Sequence, residues 1–157
     1  MRKRIIPATQ QGTVSSDQDW LDVEALAEVE ITSEDVSYPI EAALLRGGVS
    51  GWRAAESGKQ TIRLIFTHPN QIKRIGLKFI ETRTERTQEY VLRWSADGGK
   101  SFQEIVRQQW NFSPSGATEQ AEEYRVDLQA VTVLELTIIP DISGGGAIAS
   151  LAQLRLA

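Results

Sequence analysis

The chain has 157 residues and contains no cysteine, one histidine (His68) and one methionine (Met1). Without a thiol there is no cysteine nucleophile, no disulfide and no zinc site built on thiolates. One histidine cannot supply a three-histidine metal site, although it remains available as a general base. The composition therefore makes catalysis less expected, and we predict no cofactor and no metal site.

The chain also lacks an export signal core and any long apolar run. Its start, residues 1–7, is basic but has only two adjacent isoleucines before Pro7, whereas a signal peptide needs about 7–15 apolar residues and a membrane span about 20. We expect no membrane span, a flexible arm over residues 1–17, and one domain over residues 18–157. The alternative for the arm is a basic tether for an acidic partner. The missing signal and thiols favour the cytoplasm, unless an export signal has been removed.

Apolar residues alternate with polar ones along most of the chain, which is typical of strands with one buried face. Between Leu21 and Ile31 a helix would spread the acidic residues around its circumference, so we predict a strand there. Similar patterns recur in segments 62–66, 75–79, 90–94, 102–112, 124–128, 134–138 and 154–156. One helical turn is predicted near residues 39–45. The pattern predicts an all-β fold with about eight strands, either an antiparallel β-sandwich or a jelly roll; the family resemblance described below favours an eight-stranded antiparallel jelly-roll β-sandwich.

The lengths of the predicted connections differ between the two ends of such a sandwich. If successive strands alternate in direction, one end receives the short turns, residues 67–72, 96–101 and 129–132. The opposite end, called here the long-loop end, receives residues 33–60, 82–88, 112–118 and 141–148. Long loops on a rigid scaffold are where binding residues concentrate, so the candidate site is placed at the long-loop end.

Several segments, in their order, resemble the discoidin (coagulation-factor C-type) domains of the galactose-binding-like superfamily. They are Trp52-Arg-Ala-Ala55 with strand 60–66, Lys73-Arg-Ile-Gly-Leu77, Tyr90-Val-Leu-Arg-Trp-Ser-Ala-Asp-Gly-Gly99 with Ser101-Phe-Gln-Glu-Ile105, and Ala149-Ser-Leu-Ala-Gln-Leu-Arg-Leu156. The likeness covers residues 20–157. It implies a jelly-roll module without catalytic activity that binds carbohydrates, phospholipid headgroups or proteins.

The sequence departs from that family in three places. Extracellular members often carry a disulfide between the termini, and this chain has no cysteine. Many members have an acidic loop before the tryptophan, sometimes with calcium, but here residues 46–51 contain no carboxylate. Because calcium prefers several carboxylate oxygens, a calcium site there is not expected. Residues 107–114 lie outside the general pattern, which suggests a bacterial-type subfamily.

A basic segment lies in the middle of an otherwise acidic chain, whose formal net charge is −4. Residues 51–110 contain 11 Lys or Arg and 6 Asp or Glu. Arg83 and Arg86 fall in one predicted long loop and Arg53 in another, and guanidinium groups suit carboxylates, phosphates and sugar hydroxyls. The alternative is a solvated surface whose cations pair with neighbouring glutamates. Nucleic acid is not expected as a partner, because the total charge and the first strand are acidic.

The tryptophans divide into core and candidate ligand-binding residues. Trp94 is in register with buried positions of its strand and is predicted to be a core residue. Trp52 is predicted to fill the core beneath the loops, as a plug, rather than to stack on a ligand. Trp110 and Phe112 suit stacking and burial equally, and Asn111 adds an amide between them. The predicted ligand-binding residues are Arg53, Arg83, Arg86, Trp110, Asn111 and Phe112.

No catalytic motif accompanies these residues. The acids mostly occupy exposed strand positions, and there is neither a nucleophile elbow nor a phosphate-binding loop. We therefore predict a non-enzymatic binding module, in the first place for carbohydrate through the long-loop end. The second hypothesis is a cytoplasmic protein–protein interaction domain that uses the same end or a sheet face. Val91, Val133 and Ile139 are predicted to form an outward apolar patch, which would favour a protein partner or a homodimer.

Overall fold

A computed structural model describes residues 20–45 and 50–157. The predicted arm, residues 1–17, lies outside the described residues. Two single-turn helices, α1 (Val23–Leu26) and α2 (Glu41–Leu44), accompany the strands. The strands are β1 (Ala27–Ile31), β2 (Trp52–Ser57), β3 (Gln60–Ile80), β4 (Arg86–Ser95), β5 (Gln103–Phe112), β6 (Glu119–Ile139), β7 (Ile148–Leu151) and β8 (Gln153–Leu156). No helix of the described ranges is long and apolar enough to cross a membrane.

The strands form an antiparallel β-sandwich, as the alternation predicted. One layer has the order β1–β3–β6–β4–β5. The opposite layer uses the C-terminal half of β3, which pairs with the N-terminal half of β6 and with β8, and the β2–β7 pair lies beside it. A backbone hydrogen bond from Ala152 N to Lys78 O (2.8 Å) connects the β7–β8 corner to β3. The core lies between the two layers.

Strands β3 and β6 each pass through both layers. Residues 60–65 of β3 pair with 133–138 of β6, and residues 72–80 pair with 119–128, with register shifts between them. The predictions of separate turns at 67–72 and 129–132 are therefore wrong, because each segment is a bend within a 21-residue strand. Irregular pairing in the bend accommodates a proline, which cannot donate to a sheet ladder. His68 lies in this exposed part of β3.

The predicted strand from Leu21 to Ile31 begins later than expected. Residues 23–26 form α1, and the Asp22 carboxylate caps it by accepting a hydrogen bond from Ala25 N (3.3 Å). The alternation holds only from Ala27, where β1 pairs with β3. The N-cap and the good helix formers after it explain the difference. The helical turn predicted near residues 39–45 is present as α2.

The core consists mainly of the inward residues of the alternating strands. Trp52 is buried, and its Nε1 donates to Ser33 O (3.1 Å), which confirms its role as a plug under the loops. Phe79 and Tyr90 stack with ring centroids 5.1 Å apart, and Trp94 packs partly exposed against the same core. Burial and a hydrogen bond with Tyr124 raise the pKa of the Tyr90 phenol well above its usual value, so Tyr90 stays neutral at physiological pH.

The outward face of the β4–β6 layer carries ion pairs and no open apolar patch. Val91 and Val133 are only 8% and 4% exposed, so the prediction of an outward apolar patch with Ile139 is wrong. The 96–102 turn covers part of this face, because Phe102 and Val133 both approach Gly99. Beside them the buried carboxylate of Glu135 is held between two arginines.

Candidate functional site

The predicted long loops do meet at one end of the sandwich. Ile142 N donates to Thr87 O (2.9 Å), Glu81 N donates to Thr118 O (2.8 Å), and Gly58 N donates to Ala147 O (3.3 Å). These bonds join the β6–β7 connection to the start of β4 and to the turn after β2, and they join the β3–β4 connection to the β5–β6 connection. The long-loop end is therefore a real feature of the fold, and its loops are fastened to one another by their backbones.

Two adjoining depressions form a groove across this end. The first, about 250 Å³, lies between β2, the β7–β8 corner and the β3–β4 loop. The second, about 440 Å³, lies between the β3–β4 loop and residues 141–148. Both are lined by Arg53, Ile80, Glu81, Arg83 and Ser150. The larger depression is within the range of small-molecule sites, about 300–1,000 Å³. These two depressions together are called the groove.

Arg53 is exposed on β2 and is held in place from both sides. Its guanidinium carbon lies 4.6 Å from the centroid of the Tyr38 ring. Its backbone N donates to Tyr38 O (3.1 Å), and its backbone O accepts from Asp35 N (2.8 Å). A cation stacked on an aromatic face keeps its in-plane donors available to a ligand. Arg53 is therefore presented to the groove in a restricted orientation.

Arg83 lies in a loop that the Glu81 carboxylate organises. Glu81 Oε2 accepts from the backbone N of Arg83 (3.1 Å) and of Thr84 (3.4 Å), and Oε1 accepts from Arg86 Nε (2.8 Å). Burial alone would raise the pKa of Glu81, but the hydrogen bonds from Arg86 and the loop backbone lower it below its usual value. The loop is thus held by an ionised carboxylate, while the exposed side chain of Arg83 faces the groove.

Arg86 and Phe112, both predicted to contact a ligand, lie inside the protein. They are 3% and 1% exposed, and the Arg86 guanidinium carbon lies 4.9 Å from the Phe112 ring centroid. Arg86 Nη1 also donates to Pro140 O (2.8 Å). This corrects the expectation for both residues: neither presents a surface to a ligand, and Arg86 instead connects the β3–β4 loop to the start of the β6–β7 loop.

Trp110 and Asn111 lie on the edge strand β5, and neither lines the groove. Trp110 packs half-buried against the core, and its Nε1 is buried without a hydrogen-bond partner in the described structure. Asn111 is exposed, and its Oδ1 accepts from Thr87 Oγ1 (2.6 Å). Of the six predicted site residues, the structure therefore brings only Arg53 and Arg83 together in the groove.

Sequence reasoning missed several residues that line the groove. Tyr38 and Ser150 gave no signal of their own in the sequence. Ile80 is 44% exposed and did give one, because it follows the buried Phe79 as an apolar residue at an outward position. Asp141 was not missed, since the sequence already places it in the long loop 141–148. It lines the second depression, and hydrogen bonds from the hydroxyl and backbone N of Ser143 lower the pKa of its carboxyl.

The chemistry of the groove is that of recognition by hydrogen bonds and charge. Its ionisable groups in the described structure are two guanidinium groups and the carboxylates of Glu81 and Asp141, with Tyr38 at its side. Across residues 20–45 and 50–157, no three carboxylate or imidazole side chains come together in a way that would hold a metal ion. Most of the family's calcium loop position, residues 46–49, lies outside the described residues.

The ionised Glu81 makes a testable contribution to stability against acid. Because its folded pKa is lowered, its stabilisation is fully present above the unfolded pKa of about 4.3 and is lost as the pH falls through the folded pKa. We expect Glu81→Gln to be less stable than the wild type at pH 7 and the difference to shrink below about pH 4. Urea unfolding at pH 7, 5, 4 and 3 measures it, and a difference that stays constant would contradict this role.

The antiparallel β-sandwich has the fold of solved family 32 carbohydrate-binding modules, which is the galactose-binding-like fold that discoidin domains share. The resemblance found in the sequence is thus confirmed for the fold. No family model matches the chain, and no curated protein matches its sequence.

Several similar solved structures are carbohydrate-binding modules of low sequence identity. The family 32 module of Clostridium perfringens NanJ, in complex with galactose, has a TM-score of 0.62 at 15% identity, covering 83% of this chain and 92% of that one. A module from a family 31 glycoside hydrolase of Clostridium perfringens has a TM-score of 0.63 at 18% identity, covering 88% and 94%. The AlyQ family 32 module, in complex with 4,5-unsaturated mannuronic acid, has 0.61 at 16%, covering 84% and 95%. Some other matches are domains of enzymes.

Proposed function

We propose that this protein is a carbohydrate-binding module that holds its ligand in the groove at the long-loop end. The observation that carries the proposal is that Arg53 and Arg83, from separate elements, line the same groove beside Tyr38 and Ile80. The fold supports it, because similar structures were solved with galactose or an unsaturated mannuronic acid, and another is a chitosan-binding module.

The groove combines the two kinds of surface that a sugar needs. Tyr38 and the exposed part of Ile80 offer apolar contact to the C–H face of a ring. The guanidinium groups donate hydrogen bonds to hydroxyls, while the Asp141 carboxylate and the Ser150 hydroxyl accept them. The groove is open, so few contacts offset the entropy lost on binding, and we expect weak affinity for a single sugar.

We also propose that the module binds its ligand without hydrolysing it. Glycoside hydrolysis requires a protonated carboxylic acid and a second carboxylate that flank the bond. In the described structure the groove carboxylates are Glu81 and Asp141, and both have a lowered pKa. Glu81 is also occupied by Arg86 and by two backbone N–H groups. Neither group is suited to serve as a general acid near neutral pH.

A glycan array followed by titration of the best ligand tests the proposal. Arg53→Ala and Arg83→Ala are each expected to weaken binding about tenfold, the effect of losing a charge-assisted hydrogen bond of about 1.4 kcal/mol. Lys100→Ala is the matched control, because Lys100 is an exposed cation in the 96–101 turn at the opposite end. Binding that survives both arginine substitutions, or a complete lack of glycan binding, would refute the proposal.

A protein partner at the same end is the second candidate. Val36, which is 94% exposed, lies near Tyr38 in the chain, and Ile80 and Ile142 are each more than 40% exposed at the long-loop end. Exposed aliphatic side chains around a groove favour protein contact. Cross-linking in cell lysate with Val36→Ser and Ile142→Ser would test it, and an unchanged cross-linking pattern would count against it. A cytoplasmic location and a homodimer stay predictions.

A further inference from the structure

We propose that the groove selects saccharides that carry a carboxylate, and that this carboxylate lies between Arg53 and Arg83 in the first depression. The inference rests on the proposed function and specifies its ligand class. Guanidinium groups form paired, charge-assisted hydrogen bonds with carboxylates, and these are roughly twice as strong as bonds between neutral groups. Uronic and sialic acids supply the same chemistry.

The charges of the first depression carry the inference. Its ionised side chains in the described structure are Arg53, Arg83 and Glu81. The Glu81 carboxylate is already compensated by the buried Arg86, whose Nε lies 2.8 Å from Oε1. Within residues 20–45 and 50–157, no carboxylate forms an ion pair with Arg53 or Arg83. Two uncompensated positive charges therefore line a concave surface.

The other arginines of the basic segment, residues 51–110, all form ion pairs with carboxylates of the protein. Arg63 and Arg93 pair with Glu135, Arg74 with Glu123, Lys78 with Glu119, and Arg107 with Glu89 and Glu104. Most arginines of the sheet are thus compensated within the protein. Of the seven arginines in residues 51–110, all of which the structure describes, the two that form no ion pair are Arg53 and Arg83. Both line the groove, where an anionic ligand would supply the missing charge.

Both arginines are held in part before any ligand arrives. Tyr38 restricts the Arg53 guanidinium by stacking at 4.6 Å. The backbone N of Arg83 is fixed 3.1 Å from Glu81 Oε2. Preorganised donors lose less conformational entropy on binding. A carboxylate placed here gains charge-assisted bonds at a lower cost than it would on freely moving surface side chains.

The second depression sets the direction in which the ligand lies. It adds the Asp141 carboxylate to the same two arginines. A like charge close to a ligand carboxylate is unfavourable, whereas Asp141 is a good acceptor for sugar hydroxyls. The acidic sugar unit therefore occupies the first depression, and an uncharged unit extends into the second.

Four matched pairs of ligands test this selectivity on the whole protein. We would compare methyl glycosides of galacturonate, glucuronate and mannuronate with those of galactose, glucose and mannose by chemical-shift titration at millimolar concentration. N-acetylneuraminic acid methyl glycoside and its methyl ester form a fourth pair, which distinguishes a sialic from a uronic source. At least one acid is expected to bind ten times or more tighter than its neutral partner, with that advantage reduced in 0.5 M salt.

Variants separate the two proposals. Arg53→Ala or Arg83→Ala should remove the preference for the acid, Arg83→Lys should keep part of it, and Lys100→Ala should leave it unchanged. Equal or tighter binding of every neutral sugar would overturn the selectivity and leave the proposed function standing. If the protein binds none of the eight ligands and no glycan on the array, both the selectivity and the proposed function are overturned.

Discussion

Replacing both Arg63 and Arg93 by alanine is expected to lower the free energy of unfolding by about 3 kcal/mol, the lower end of what breaking a buried ion pair costs. Glu135 is only 2% exposed. Its Oε2 accepts from Arg63 Nε and its Oε1 from Arg93 Nε, each at 2.8 Å. Burial favours the neutral acid, but the hydrogen bonds and charges of these arginines lower the pKa of Glu135 below its usual value. Without them a buried carboxylate has no compensating cation.

Urea unfolding measures the loss of stability in the double variant. Two controls test whether the loss comes from the buried charge of Glu135. Arg107→Ala removes an arginine that is 54% exposed and also forms ion pairs with Glu89 and Glu104, so it should lower stability far less than the double variant does. Adding Glu135→Met to the double variant should recover most of the loss, because the buried charge is then gone. A double variant as stable as Arg107→Ala would show that Glu135 is not held in this way.

The same variant should respond to pH in a defined direction. In the wild type the folded pKa of Glu135 is lowered, so its stabilisation is present above about pH 4.3 and disappears as the pH falls through the folded pKa. The stability difference between the wild type and the double variant should therefore narrow in acid. A difference independent of pH would mean that the loss comes from packing and not from the carboxylate.

Replacing Arg86 by methionine is the second change with a large expected effect, a loss of about 3 kcal/mol of unfolding free energy together with weaker glycan binding. Arg86 donates to Glu81 in the β3–β4 loop and to Pro140 O at the start of the β6–β7 loop. Both loops line the groove. Removing the guanidinium leaves Glu81 without its cation. It also removes the hydrogen bonds that connect the β3–β4 loop to the β6–β7 loop, the two loops that line the groove.

Two measurements distinguish this positioning role from a purely structural one. Methionine fills much of the space above Phe112, so the variant should still fold, as near-ultraviolet circular dichroism would show. The affinity of the folded variant should fall, whereas the arginine double variant on the β4–β6 face should lose stability and keep its affinity. If Arg86→Met loses stability but binds glycan as the wild type does, Arg86 does not position the groove.

The sequence allowed the fold to be predicted because alternation reports burial directly. It could not show that segments 62–66 and 75–79 belong to one strand. The polar residues and Pro69 between these segments are typical of a turn. The chain stays extended there because it pairs with β6, which the local sequence does not show. The prediction of a strand over residues 23–26 was wrong for the opposite reason. There a local N-cap, Asp22, overrides a pattern that suits a strand.

The candidate site was only partly predictable, and the reason is tertiary. Arg83 and Arg86 are three residues apart, yet one is exposed and the other is buried under residues from β5 and the β6–β7 loop. No local signal distinguishes them. For Trp110 and Phe112 a signal was available. Residues two apart in a strand share a face, so both point towards the core, and the residue between them, Asn111, points outward.

The course of β3 and β6 through both layers also determines how this domain can fold. One layer cannot be completed until residues 133–138 have joined residues 60–65, and the other cannot be completed until residues 119–128 have joined residues 72–80. In addition, Leu21 N bonds to Leu156 O (2.7 Å) across almost the full domain. Native contacts of such high sequence separation predict folding in milliseconds to seconds rather than microseconds. During synthesis the first half of the domain is therefore made before β6 and β8, the strands with which β3 pairs. Native structure forms only once the second half has emerged from the ribosome.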